Sequence, residues 1–106
     1  MSEDRRQHMR VRFPLEARWE GLSGRHTARI YDISMSGCYV EALSEVQTHE
    51  RVRFQVQSPT GLWLTFEGEV VHHQPNMGFG LHFVNLSETQ RDVLTSLIDY
   101  AGDKSG

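Results

Sequence analysis

Two short stretches carry the side chains best suited to chemistry. Near the start, Arg5-Arg6-Gln7-His8-Met9-Arg10 holds three arginines in six residues, with Arg6 and Arg10 spaced as RxxxR. A guanidinium is a planar, permanently charged fork of N–H donors. It matches the paired oxygens of a phosphate, and it stacks on aromatic planes. Further on, Asp32-Ile33-Ser34-Met35-Ser36-Gly37 is a polar interruption between apolar residues that run up to Ile30 and resume at Cys38. Asp and Ser side chains bond local backbone N–H groups, and glycine takes φ > 0 without steric cost. By itself this stretch reads as a β-hairpin connection, and the arginine cluster by itself reads as a solvated terminal charge run.

Other reactive residue types form no comparable pattern. His72 and His73 are adjacent, and adjacent residues of a regular strand point to opposite faces, so they cannot chelate one ion. His8, His26, His49 and His82 lack metal-site spacing. A Ser34–His–Asp32 triad needs a distant histidine and has no nucleophile-elbow context. The expectation is a protein with no metal and no cofactor that is not an enzyme. Cys38, the only cysteine, reads as a small buried hydrophobe and excludes an intrachain disulfide or a cysteine-rich zinc site.

Composition narrows the class of partner. The chain has 106 residues and a formal net charge of −3, enough for one domain with one modest core. A nucleic-acid polymer is disfavoured, because such binders carry a basic surplus. A single-stranded nucleic-acid barrel would also need basic strands interleaved with exposed aromatics. A local basic cluster on an acidic chain suits a small anionic ligand. The polar start has no apolar secretory core, and no apolar run approaches the roughly 18 residues of a membrane span. A cytoplasmic protein without membrane insertion is expected.

The elements that must position these residues follow from periodicity. Residues 1–9 show none and read as a flexible arm. Val11, Phe13, Leu15, Ala17 and Trp19 alternate with Arg12, Pro14, Glu16, Arg18 and Glu20, the period-two pattern of a half-buried strand. Pro14 suggests an edge or a bulge. Thr27 to Ile33 and Gly37 to Ala42 predict the next strands. Val52, Phe54 and Val56 predict a fourth, followed by a Ser58-Pro59-Thr60-Gly61 turn. Leu62, Leu64 and Phe66 face inward in a fifth strand, where Gly68 marks a bulge or bend. Phe79, Leu81 and Phe83 are the inward set of a sixth. Trp19 reads as core and Trp63 as exposed, with Arg12 and Arg18 as solvated charges.

The period then changes. Ser87 and Gln90 form a capping box, and Val93, Leu94, Leu97, Ile98 and Ala101 follow at helical spacing. This predicts a helix over about 87–101, stopped by Gly102, with 103–106 frayed. Six short antiparallel strands with tight turns favour a small barrel flanked or plugged by the helix.

Taken together and in this order, RxxxR at Arg6–Arg10 and DxSxxG at Asp32–Ser34–Gly37 resemble the two signatures of the PilZ domain, a receptor for the bacterial second messenger cyclic di-GMP. Gly78-Phe79-Gly80-Leu81-His82-Phe83 is similar to a strand near the end of that domain. The resemblance covers essentially the whole chain. It implies a mainly β, six-stranded antiparallel barrel over residues 10–102 with a C-terminal α-helix. It also implies roles. Arg6 and Arg10 bind guanine edges and phosphate, and Arg5 could recruit a second, stacked ligand. Asp32 accepts from a guanine edge or orients an arginine. Ser34 offers a hydroxyl, and Gly37 lets the backbone approach the ligand. The arm, which carries most of RxxxR, would order over the ligand and switch a surface seen by a downstream protein in motility, adhesion or polysaccharide export. The alternative is a PilZ-fold adaptor acting through protein partners without a ligand.

Overall fold

The computed structural model describes residues 10–105, with side chains through Gly102. Arg5, Arg6 and the rest of the expected arm, residues 1–9, lie outside the described residues, as do the side chains of 103–105 and the whole of Gly106.

Six strands follow the alternation of the sequence: β1 (Val11–Gly21), β2 (Gly24–Ile33), β3 (Gly37–Glu41), β4 (Arg51–Gln57), β5 (Trp63–Gln74) and β6 (Gly78–Phe83). All pairings are antiparallel, and the order β1-β2-β3-β6-β5-β4 closes on itself through β1 and β4. The expected six-stranded antiparallel barrel with a C-terminal helix is the architecture observed. Closure leaves no edge strand, which removes the unpaired N–H and C=O groups an open sheet would expose.

Inward residues of every strand fill the barrel. Trp19, Ile30, Val40, Phe54, Phe66, Phe79 and Leu81 are all buried. The rings of Phe54, Phe66 and Phe83 pack with centroids 5.4–5.7 Å apart, within the offset range that aromatic pairs favour.

Helix α1 (Glu88–Ser105) covers one end of the barrel. Its capping box forms as the sequence predicts: Ser87 N–H donates to Gln90 Oε1 at 2.8 Å, and Gln90 N–H to Ser87 Oγ at 3.1 Å. Leu94, Leu97, Ile98 and Ala101 are buried against the core. Phe13 meets Tyr100 at 5.7 Å, and Thr95 donates to the Met35 sulfur at 3.7 Å. The helix runs past Gly102, the expected stop. Gly102 lacks the left-handed φ of a C-terminal glycine cap, and a helical glycine costs only about 1 kcal/mol.

At the opposite end, the segment between β3 and β4 folds back and buries Val46. The Glu50 carboxylate holds it there, accepting from Leu22 N–H at 2.7 Å and from Gln47 N–H at 2.9 Å. Three local expectations are corrected. Leu62 does not face inward: it is 67% exposed because Ser58 N–H donates to its carbonyl and closes the β4–β5 turn before β5 starts. Gly68 pairs in regular register with Val52 and Phe83, and its bare Cα leaves room for the Leu81 side chain. Arg18 is not simply solvated. Its guanidinium lies 3.9 Å over the Trp63 ring and donates to Gln55 Oε1 at 2.8 Å.

Candidate functional site

Three β-bulges shape one outer face of the barrel. In β1 an extra residue stands at Phe13-Pro14, between the pairs Arg12↔Asp32 and Leu15↔Ile30. In β2 it is Tyr31, between Ile30↔Val40 and Asp32↔Tyr39. In β5 it is Val71, between Val70↔Leu81 and His72↔Gly80. An extra residue breaks the alternation and puts consecutive side chains on one face. Tyr31 and Asp32 therefore both turn outward, as do Val71 and His72, while Ile30, Ile33 and Val70 remain in the core.

Across β2, β3, β6 and β5, with Arg10 just ahead of β1 at its rim, lies a groove of about 570 Å³, inside the range of small-molecule sites, roughly 300–1,000 Å³. Arg10, Tyr31 and Asp32 stand at the end nearer the helix. Tyr39, His72 and Gly80 form its middle, and Glu41, Gln74 and Met77 its far end. Arg10 Nη1 donates to Asp32 Oδ1 at 2.5 Å. Next to them the Arg12 guanidinium sits 4.8 Å above the Tyr31 ring. Among the described residues the Arg10 fork makes no other hydrogen bond, and one carboxylate oxygen uses only one of its nitrogens.

The DxSxxG residues divide by what they touch. Asp32 alone presents its side chain to the groove. Ser34 is 1% exposed, and its hydroxyl is engaged within the turn. It accepts from Ser36 N–H at 3.2 Å, lies 3.3 Å from the Gly37 carbonyl and 3.1 Å from Ser36 Oγ. Ser34 N–H also donates to the Gly37 carbonyl at 2.8 Å. The turn is thus a hairpin connection, as the residues taken singly suggested. The left-handed φ expected of Gly37 in this turn is not observed, and a steric reason stands in its place. A Cβ there would run into the Leu81 carbonyl oxygen of the neighbouring β6. Ser34 and Gly37 fix the turn that holds Asp32 at the rim.

Two groove residues titrate away from their ordinary values. Burial pushes the Cys38 thiol far up; nearby Arg10 pulls it down and Asp32 adds to the rise. Cys38 is a buried core residue, as expected. Burial, with the Glu41 carboxylate as a second cause, raises the Tyr39 phenol. Tyr39 thus stays a donor, and its hydroxyl donates to Gln74 Oε1 at 2.5 Å.

Sequence reasoning singled out Arg10, Asp32, Ser34 and Gly37, and the fold brings all four to this corner. It missed Tyr31, Tyr39, His72 and Gln74. A signal for two of them was present in Gly80, an outward glycine within a strand, but only the order β3-β6-β5 shows whose rings it makes room for. Among the described residues, no group of three or more His, Cys, Asp or Glu side chains could hold a metal ion. No helix among them is long and apolar enough to cross a membrane.

Comparison with known proteins points the same way. No match is found among curated proteins. Among solved structures, Escherichia coli YcgR in complex with c-di-GMP is similar with a TM-score of 0.78 and 19% identity, over 92% of this chain and 46% of that one. The PilZ domain of YcgR with c-di-GMP gives 0.75 and 17%, covering 92% and 91%. The Bacillus subtilis inhibitor of motility MotI/DgrA gives 0.72 and 16%, covering 91% and 48%. The chain thus spans about half the length of YcgR and of MotI/DgrA. At such identities these likenesses speak for the fold. Family membership rests on the sequence itself, for the PilZ domain pattern matches residues 4–100, and a match over nearly the whole length makes this chain a member of the PilZ domain family.

Proposed function

We propose that this domain is a cyclic di-GMP receptor whose ligand lies in the groove beside Arg10 and Asp32. The observation that carries the reading is the meeting of Arg10, the second arginine of RxxxR, with Asp32, the first residue of DxSxxG, at the rim of one groove. Guanine presents O6 and N7 as paired acceptors, which an arginine fork can bind in parallel, and the ligand's phosphodiesters take charge-assisted bonds from the same group. Asp32 accepts from a guanine N1–H and N2–H₂ edge, or holds an arginine in position for one. That c-di-GMP occupies the similar PilZ domain of YcgR supports the assignment.

Arg6 stands four positions before Arg10 and can lie no more than about 14 Å from it, a reach that includes the groove. In this reading Arg6 closes over the ligand from outside, and Arg5 offers a further fork for a second, stacked molecule. Ordering residues 1–9 on the ligand alters the surface beside the groove, and that change is what a downstream protein reads.

Isothermal titration with cyclic di-GMP, with Arg6→Ala and Asp32→Ala alongside, tests the proposal. Saturable heat that is lost in Arg6→Ala is the expected result, and the stoichiometry reports on Arg5. Absence of heat from the folded wild-type chain at high ligand concentration overturns it.

A further inference from the structure

We infer that the rings of Tyr39 and His72 form a stacking floor for a purine base of the bound ligand. This inference rests on the cyclic di-GMP reading of the groove and adds a contact that neither motif contains.

The floor is built around a missing side chain. Tyr39 on β3 and His72 on β5 are both partnered with Gly80 on β6, the strand between them. With adjacent strands about 4.8 Å apart, the two backbones stand about 9.6 Å from each other. Their rings nevertheless approach to 6.1 Å between centroids, with planes inclined by only 30°. They can do so because Gly80 leaves the space above it open. A Cβ there would sit 2.6 Å from His72 Cε1 and 3.0 Å from Nδ1. Hence His72 lies across Gly80 toward Tyr39.

At that separation the rings are offset neighbours, not a closed face-to-face stack, so both can offer their outer faces to the groove. The hydroxyl bond from Tyr39 to Gln74 Oε1 fixes one ring. The Val71 bulge turns His72 outward and supports the other. A preformed pair of this kind suits the flat face of a purine, which stacks without regard to its hydrogen-bonding edge. The edge is left for Arg10 and Asp32 to read.

A purely structural cross-strand pair would account for the contact but not for any effect on ligand affinity. Titration with cyclic di-GMP should therefore compare wild type with Tyr39→Leu, His72→Leu and Tyr39→Phe, each checked for a native melting transition. The expected result is a loss of roughly five- to hundredfold in affinity for each leucine variant. Tyr39→Phe keeps the ring and should stay within about threefold of wild type. In the wild-type protein, the Tyr39 and His72 ring protons should shift upfield in NMR spectra on ligand addition. That second readout covers the case in which a leucine variant fails to fold. Unchanged affinity in folded leucine variants, or ring resonances that stay put while ligand saturates, overturns the stacking floor and leaves the receptor reading standing. A wild-type chain that binds no cyclic di-GMP overturns both.

Discussion

Arg10 Nη1 and Asp32 Oδ1 meet at 2.5 Å where the chain enters β1, with Asp32 on the β2 bulge that turns it outward. The Arg10 side chain is half exposed while Asp32 is part-buried, and an ion pair that water still reaches through one partner contributes about 1 kcal/mol or less to stability. Its worth lies instead in holding a guanidinium at the groove. Asp32→Ala should leave the melting temperature nearly unchanged and weaken cyclic di-GMP binding by about tenfold or more, the equivalent of one hydrogen bond to a charged group, about 1.5–3 kcal/mol. Calorimetric titration beside a thermal melt checks both halves. Equal affinity in the variant would remove Asp32 from the site.

Ser34 and Gly37 belong to the same motif but should behave in the opposite way. Ser34→Ala takes away the acceptor of Ser36 N–H inside a part-buried turn, at a cost of about 1–2 kcal/mol. Gly37→Ala drives a methyl into the Leu81 backbone and must push β6 aside, an overpacking cost of about 1–3 kcal/mol. Urea unfolding should show lower midpoints for both, and binding should weaken in step with lost turn structure. A Ser34→Ala protein of full stability that binds poorly would make the hydroxyl a direct ligand contact.

Much of the barrel was legible because period-two alternation survives wherever one face is buried, as in Val52, Phe54 and Val56. The capping box at Ser87 and Gln90 was legible because it is a local contest for backbone donors. The groove was legible only in part. Asp32 and Arg10 stood out by residue type, whereas the bulges at Tyr31 and Val71 carry no glycine or proline to mark them. Counting by twos puts Tyr31 and Asp32 on opposite faces; the extra residue puts them on one. Tyr39, His72 and Gly80 come from strands that are neighbours only through the β3-β6-β5 order, a long-range fact with no local signature. Arg18 was misread for a similar reason. Its partner Trp63 stands on β5, two strands away across β4.

Glu50 should matter more than its place in an irregular segment suggests. Its two carboxylate oxygens accept backbone N–H groups from Leu22 and Gln47, tying the β1–β2 hairpin to the segment before β4. Glu50→Ala takes a buried acceptor from both donors, on residues that themselves reach solvent. A loss of about 2–4 kcal/mol is expected from two bonds to a charged group, allowing for partial resolvation. Glu50→Gln keeps one acceptor and should lose less. Denaturant midpoints order the three proteins. If alanine and glutamine cost the same, the second bond contributes nothing.

Cys38 provides a test by pH. Burial holds its thiol far above the ordinary value of 9.0, so the folded chain keeps the proton at a pH where the unfolded chain has released it. Between those two values the native state binds more protons than the unfolded state, and stability falls as pH rises. The contribution is complete below about pH 8 and should fade by up to about 1.4 kcal/mol per pH unit above about 9. Cys38→Ala removes this dependence, although the smaller side chain will lower stability at neutral pH. Unfolding curves at pH 7, 9 and 10 should therefore converge for the two proteins as pH increases. The buried thiol should also resist alkylation at pH 8, reacting only through opening of the structure. Rapid alkylation of the native chain, or wild-type and variant curves that stay parallel in pH, would mean that Cys38 is reached by solvent through the groove it underlies.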